Sequence, residues 1–317
     1  MTTSIAMAVY NGEKYIEKQL DSIRLQTHPV DEVVIVDDCS TDDTLSYVKS
    51  YITKHNLNDC WKIYSNDTNC GFIKTFYKAL QKTTGDLVFL CDQDDVWHED
   101  KVELMSNQFE NNANIRLLAC TFDGIDDTGN SIAVRSPIFT ENHGMILFKK
   151  YKIGRIYQIP FKTICDRNIS MGCTMVAKRD LVNFYLEKSS SEIPHDWELA
   201  FGAAIKDGLY FYNKPLIDYR IHDDNTIGIK ADDADITTDY RREEYEKYIE
   251  YQRYFIDNYS KELGNVAKER TLNCVNSFLI ARRDNLEDKN RSRAMRMMLS
   301  YVLKLGIHAL EAIIDIL

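Results

Sequence analysis

The chain has 317 residues, 44% hydrophobic and 28% charged, with 49 Asp and Glu against 39 Lys and Arg. These proportions suit a folded globular protein and exclude a disordered or fibrous one, and the length allows a catalytic domain with an appendage. A formal net charge of −10 excludes a body that lies along a nucleic-acid phosphate backbone, so no nucleic-acid partner is expected.

The first 120 residues alternate short apolar runs with amphipathic stretches, which predicts strand–helix units around a largely parallel sheet. Strands are expected at Ser4–Val9, Glu32–Val36, Trp61–Tyr64, Leu87–Cys91 and Leu117–Phe122. Between them Ile16, Leu20 and Ile23, then Leu45, Val48 and Ile52, then Phe72, Phe76 and Leu80 recur at helical spacing, giving each helix one face for the sheet. Ser40 followed by Asp43 predicts a capping-box-like helix start. The opening residues read as a strand without a basic, apolar leader, so no secretory signal is expected.

From Asp123 to about Tyr219 the alternation is lost, and Gly124, Gly129 and Gly144 mark turns in an irregular, mixed-strand half where an acceptor site could be built. Beyond Asp232 the chain reads as helical. Tyr240, Tyr245, Tyr248, Tyr251 and Tyr254 precede a segment, Lys261 to Lys304, that holds ten Lys and Arg against five Asp and Glu. From Arg291 onward Ala294, Met298, Val302, Leu305 and Ile313 form an apolar stripe with Arg293, Arg296 and Lys304 for the other face. It offers a contact with its own domain, with a second copy or with a membrane surface. Lys304, His308, Glu311 and Asp315 interrupt it, so no spanning helix is expected. The eight cysteines stand singly, without a C-x-x-C pair, as expected of reduced thiols in a cytoplasmic protein.

Two strands end in acids: Val33 to Asp38, and Leu87 to Asp95. In open α/β sheets ligands bind outside the carboxyl ends of the strands. A single Asp there is ordinarily a cap or turn residue. Asp92, Asp94 and Asp95 fall within four positions, and their repulsion calls for a cation or bound donors. A hard divalent ion, Mg2+ or Mn2+, completed by phosphate oxygens is therefore expected. No Walker loop or G-x-G-x-x-G is present, which leaves Lys74, Arg135 or Lys162 to neutralise a diphosphate singly.

Ala8-Val9-Tyr10-Asn11-Gly12, Val36-Asp37-Asp38-Cys39-Ser40-Thr41-Asp42, Asn69-Cys70-Gly71-Phe72, Thr84-Gly85-Asp86 and Asp92-Gln93-Asp94-Asp95 occur in an order and spacing that resembles family 2 glycosyltransferases with the GT-A fold. Met171-Gly172-Cys173-Thr174, Pro194-His195-Asp196-Trp197 and Tyr219-Arg220-Ile221-His222-Asp223-Asp224-Asn225 extend the likeness and look like the bacterial rhamnosyltransferase-like branch that builds surface polysaccharides. The resemblance implies an α/β fold: a Rossmann-like, mostly parallel sheet flanked by helices, with a C-terminal helical extension. Residues 1–110 would be the nucleotide-sugar half, 111–230 the acceptor and catalytic half, and 231–317 the extension.

The resemblance also implies inverting, metal-dependent transfer from a nucleoside diphosphate sugar, dTDP-rhamnose or a UDP-sugar, to a glycan or lipid-linked glycan acceptor. This would take place in the cytoplasm or at the inner face of its membrane. Ala8, Tyr10 and Asp38 match positions that hold the nucleoside, Asp92 the ribose-side acid of the D-x-D element, and Asp94 the metal ligand. His222 matches a histidine that approaches the metal or diphosphate. Lys74 would contact the diphosphate, and Asp95, Gly172, Cys173, His195 and Trp197 would lie near the sugars, Trp197 stacking on a sugar face or else filling the core.

Transfer through an oxocarbenium-like state needs a carboxylate to take the acceptor proton. Asp196 is the expected base: Pro194 suits the first turn of a helix, and the helix dipole there keeps the acid ionised, a ready but weak base. Glu198 and Asp223 stand as substitutes. A noncatalytic nucleotide-sugar or glycan-binding protein, and a metal-dependent phosphotransfer domain, are the rival readings. Asp38, Asp92, Asp94 and Asp196 together speak against the first, and the lack of a suitably spaced lysine against the second.

Overall fold

The computed structural model describes residues 1–134, 151–165, 168, 170–222, 238–264 and 266–285. Strands β1 (Thr3–Val9), β2 (Glu32–Asp37), β3 (Trp61–Ser65) and β4 (Leu87–Cys91) form where the apolar runs predict them. They alternate with helices α1 (Ile16–Arg24), α2 (Thr44–Lys54) and α3 (Phe72–Lys82). The strands lie in the order β3-β2-β1-β4, all parallel. The near-continuous hydrophobicity of β1, β2 and β4 follows from burial on both faces, whereas β3, at the end of the sheet, is largely exposed. Successive side chains alternate between two cores: Ile5, Met7, Ile35 and Phe89 pack with Ile16 and Leu20 of α1, while Ala6, Val34, Val88 and Leu90 pack with Ala79 and Leu80 of α3.

The capping-box expectation fails locally. Helix α2 begins at Thr44, whose N–H donates to Asp42 Oδ1 at 3.0 Å. Ser40 Oγ instead accepts the Asn11 N–H at 3.0 Å and ties the β1–α1 and β2–α2 loops together.

Beyond β4 the sheet becomes mixed. The remaining elements in order are β5 (Val96–Trp97), α4 (Lys101–Asn111), β6 (Leu117–Ile125), β7 (Ser131–Ile132), β8 (Ile156–Gln158), α5 (Phe161–Ile164), a 3-10 turn (Gly172–Thr174), β9 (Met175–Lys178), α6 (Arg179–Lys188), α7 (His195–Ile205), β10 (Leu209–Arg220), α8 (Thr238–Tyr259) and α9 (Val266–Asn285). β9 runs antiparallel between β4 and β6, whereas β10 is parallel to β6. The β10 register shifts on both sides of Pro215, which cannot donate to the ladder and is accommodated at a bulge.

Helices α8 and α9 dock on the second face of the sheet through α7. The Phe201 and Phe255 rings stack at 4.0 Å, and Lys268 Nζ donates to Ile205 O at 2.7 Å, at the C-terminal end of α7. Each large apolar side chain fully buried in this layer contributes about 1.5–3 kcal/mol. Arg135, Gly144, Asp223 to Asn225 and the stripe from Arg291 onward lie outside the described residues. Among the described residues no helix is long and apolar enough to cross a membrane, and all eight cysteines are free thiols.

Candidate active site

Strand order brings the ends of β2, β1 and β4 side by side: Val9 pairs with Asp37, and Met7 with Cys91. Ala8, Tyr10, Asp38 and Asp92 therefore share one rim. Ala8 is part-buried and Tyr10 is 43% exposed. Gln93, which sequence reasoning passed over, clamps the Tyr10 backbone: its Oε1 accepts the Tyr10 N–H at 2.7 Å and its Nε2 donates to Tyr10 O at 3.0 Å.

Asp38 is buried, and burial pushes its carboxyl up, but hydrogen bonds more than offset this and hold it below the usual carboxylate range. Its Oδ1 accepts from Cys70 N–H at 2.9 Å and Asn66 Nδ2 at 2.8 Å, and its Oδ2 from Gly71 N–H at 2.8 Å. Gly71, at φ +84°, supplies that N–H from a backbone conformation few other residues adopt. Asp38 is thus a fixed, ionised acceptor, and Oδ2, with this one donor from the chain, keeps capacity for a ligand N–H. Lys74 stands exposed in the first turn of α3, and Lys162 is exposed on α5.

The second acidic run holds more negative charge than its surroundings balance. Burial, then the charge of Asp94, pushes both Asp92 and Asp95 up. Asp95 is fully buried, and its Oδ1 accepts the Arg220 N–H at 3.0 Å. The Cys173 thiol, pushed well up by burial, stays neutral and lies within 4.8 Å of a carboxylate oxygen of each acid. It is poorly suited to a hard cation. Asp94 Oδ2 lies 3.1 Å from His222 Nε2, so the two expected metal ligands meet. Unbalanced carboxylates with one imidazole form an oxygen-rich donor set that fits Mg2+ or Mn2+.

Arg220 and Lys101 are two buried cations that sequence reasoning missed. Arg220 Nε donates to Asp94 O at 2.7 Å, and its Nη1 to Asp126 O at 2.9 Å. Its guanidinium lies 4.8 Å from the centre of the Tyr15 ring, which also faces His222 at 4.9 Å. Lys101 Nζ donates to Cys173 O at 2.7 Å and sits 3.7 Å from the Trp97 ring centre. The signal for Arg220 was its place between the apolar Tyr219 and Ile221 at a strand end; Lys101 carried no signal, because a lysine opening a helix reads as solvated.

The buried Arg220 guanidinium donates to the Asp94 and Asp126 carbonyls, and removing a buried donor leaves its acceptors unsatisfied at about 1–3 kcal/mol each. Arg220→Met is accordingly expected to lower the unfolding free energy by about 2–5 kcal/mol, read by urea titration. Unchanged stability in the variant would show that these bonds do not hold the rim.

Across the rim, α7 begins at His195 with Pro194 as its N-cap residue, which places Asp196 in the first turn. Its Oδ1 accepts the Trp197 N–H at 2.8 Å. The expectation of a dipole-stabilised carboxylate that is a weak base is corrected here: burial outweighs the donors from Trp197, Asn168 and Gly172 and pushes Asp196 up to about 6. Its charge in turn helps raise Asp92, so the two carboxyls act on the same space. Gly172 fits because a Cβ there would come within 3.0 Å of His195 Nε2 and 3.5 Å of Asp196 Cβ.

Three sugar-side or substitute assignments are overturned. Trp197 is 2% exposed, donates its indole N–H to Ile164 O at 2.9 Å, and is boxed by Tyr248, Tyr251 and Phe255, so it fills the core rather than stacking on a sugar. His195 is buried and stacked on Phe76 at 3.9 Å, and burial lowers it to about 3, which makes it a neutral packing group. Glu198 accepts from Ser189 Oγ, Tyr254 OH and Tyr259 OH at 2.6–2.8 Å inside the core and cannot replace Asp196.

A family profile described as Glycosyl transferase family 2 matches residues 4–176. The dTDP-rhamnosyl transferase RfbG of Shigella flexneri is 28% identical over 238 residues, 70% of this chain and 73% of its own. The crystal structure of TarS 1-349 from S. aureus in complex with UDP-GlcNAc superposes with a TM-score of 0.59 at 19% identity, over 96% of this chain and 82% of that one. In sequence, the poly(ribitol-phosphate) beta-N-acetylglucosaminyltransferase TarS of Staphylococcus aureus is 39% identical over 106 residues, 32% of this chain and 18% of its own length. The mannosyltransferase PcManGT from Pyrobaculum calidifontis in complex with GDP-Man and Mn2+ superposes with a TM-score of 0.51 at 18% identity, over 96% of this chain and 85% of that one. The superpositions place the sheet and its helices in the GT-A fold.

Proposed function

The chain belongs to glycosyl transferase family 2 and is a glycosyltransferase; from that premise we propose that it is an inverting, metal-dependent member acting in polysaccharide synthesis. The donor is dTDP-rhamnose or a UDP-sugar, and the acceptor a glycan or lipid-linked glycan at the cytoplasmic face of a membrane. The rhamnosyl reading is supported by the Shigella relative, and the need for a metal by the Mn2+ bound in PcManGT together with the acidic rim of this chain. On this reading residues 1–110 form the donor half, 111–230 the acceptor and catalytic half, and 231–317 an extension whose described part is the helices α8 and α9.

The observation that carries the reading is the meeting of Asp196 with the acidic rim: Asp196 lies against Gly172, whose neighbour Cys173 clusters with Asp92 and Asp95, and burial raises the Asp196 carboxyl to about 6. Asp38 Oδ2 accepts from the base, Tyr10 lies along it, and Lys74 meets the diphosphate. Asp94 and His222 would hold the cation, with Asp92 toward the ribose, and what the ion supplies when bound is neutralisation of the departing diphosphate. Asp196 takes the proton of the acceptor hydroxyl as its oxygen bonds to the anomeric carbon from the side opposite the diphosphate. The bond from that carbon to the phosphate oxygen breaks, so the anomeric configuration inverts. Arg220 and Lys101 keep the rim in place.

The test is release of nucleoside diphosphate from a panel of dTDP-, UDP- and GDP-sugars in Mn2+ and in EDTA. Turnover of one nucleotide class in Mn2+ alone is expected. Equal turnover in EDTA would overturn the metal dependence, and no turnover of any donor would overturn the reading.

A further inference from the structure

Residues 142–165 contain five Lys and Arg and no Asp or Glu, in a chain whose net charge is −10. Within that run Lys152, Ile153, Gly154 and Arg155 form the tip of the turn leading into β8, and all four are exposed, Ile153 to 82%. One exposed apolar residue is ordinary; this one is set apart by how firmly its turn is held. The Tyr151 and Tyr157 rings stack at 4.2 Å, and the Lys152 N–H donates to Tyr157 OH at 3.0 Å. Buried Asn213 of β10 closes the turn three times: its carbonyl accepts the Gly154 N–H at 2.6 Å, its N–H donates to Arg155 O at 3.0 Å, and its Nδ2 donates to Tyr151 O at 2.7 Å. The isoleucine is thus exposed on a fixed platform, with an exposed cation on either side of it in the chain.

We propose that this turn docks the protein on an anionic membrane surface, with Ile153 entering the acyl boundary while Lys152 and Arg155 meet lipid phosphates. The charge distribution supports that occupant. An acidic body is repelled by an anionic bilayer except where acids are absent, and this is such a segment. Among the described residues β8 pairs with β10 alone and so lies at an edge. Lysines that guard an edge against strand pairing account for the bases, but not for the exposed isoleucine. A soluble anionic polymer would use the cations and leave Ile153 idle. The inference is independent of the donor chemistry.

Co-sedimentation of the full chain with vesicles of phosphatidylcholine, alone or mixed with phosphatidylglycerol, tests it. The wild-type chain is expected to pellet with the anionic vesicles only and to be released as salt rises. Ile153→Asp and the double variant Lys152→Glu/Arg155→Glu should each lose about fivefold or more of the bound fraction with unchanged melting temperature. Ile153→Ser repeats the test should the aspartate lower solubility. Failure of the wild type to pellet, equal pelleting with both lipids, or variants that pellet like wild type would each overturn the proposal. Loss in the charge variant with full binding by both Ile153 variants would also overturn it, in favour of a soluble polyanion.

Discussion

Asp196→Asn is expected to leave donor binding intact and to lower turnover by roughly a hundredfold or more, the scale of losing a general base. The effect is large because Asp196 combines a raised carboxyl with a place in the first turn of α7 beside the acidic rim. The sign with pH follows. Only the ionised form accepts a proton, so wild-type kcat/KM should fall tenfold per pH unit below about 6, and the asparagine variant should lose this limb. Stability should move the other way. A carboxyl whose folded value lies above its unfolded value of about 3.9 destabilises the fold once pH exceeds the unfolded value. That loss reaches at most about 3 kcal/mol above the folded value. The asparagine variant should therefore melt at or above the wild-type temperature at pH 7, with the gap closing in acid. Unchanged turnover in a well-folded variant would move the base elsewhere.

Asp94→Ala is expected to abolish the help that Mn2+ gives to nucleoside diphosphate binding. By calorimetry the wild-type chain should bind its preferred diphosphate roughly 10- to 100-fold more tightly in Mn2+ than in EDTA, and the variant should bind it equally and weakly in both. Asp94 decides this because its carboxylate meets His222 at the open side of the rim, whereas Asp95 is sealed against Arg220. His222→Ala should fall between the two, since the carboxylate remains. A variant at Asp94 that keeps the full Mn2+ enhancement would place the cation on Asp92 and Asp95 instead.

The strands and helices of the first half were legible in the sequence because each records its own surroundings. Val33 to Val36 is apolar throughout since both sheet faces are covered, and Ile16, Leu20 and Ile23 repeat at helical spacing since one side of α1 meets β1. The position of the acids after β2 and β4 was equally local, and so was the start of α7 after Pro194. Tertiary structure decided what those groups became. Asp94 meets His222 across 128 positions and Asp95 meets the Arg220 backbone across 125, contacts set by β10 running beside β6 and reaching β5. No periodicity within a segment encodes such pairings. The same holds for Trp197, whose fate as core rather than sugar platform depends on α8 closing over it. It holds for Asp196 as well: a helix start favours its charge, but the atoms packed around it oppose that charge more strongly, and only the assembled fold determines how many there are.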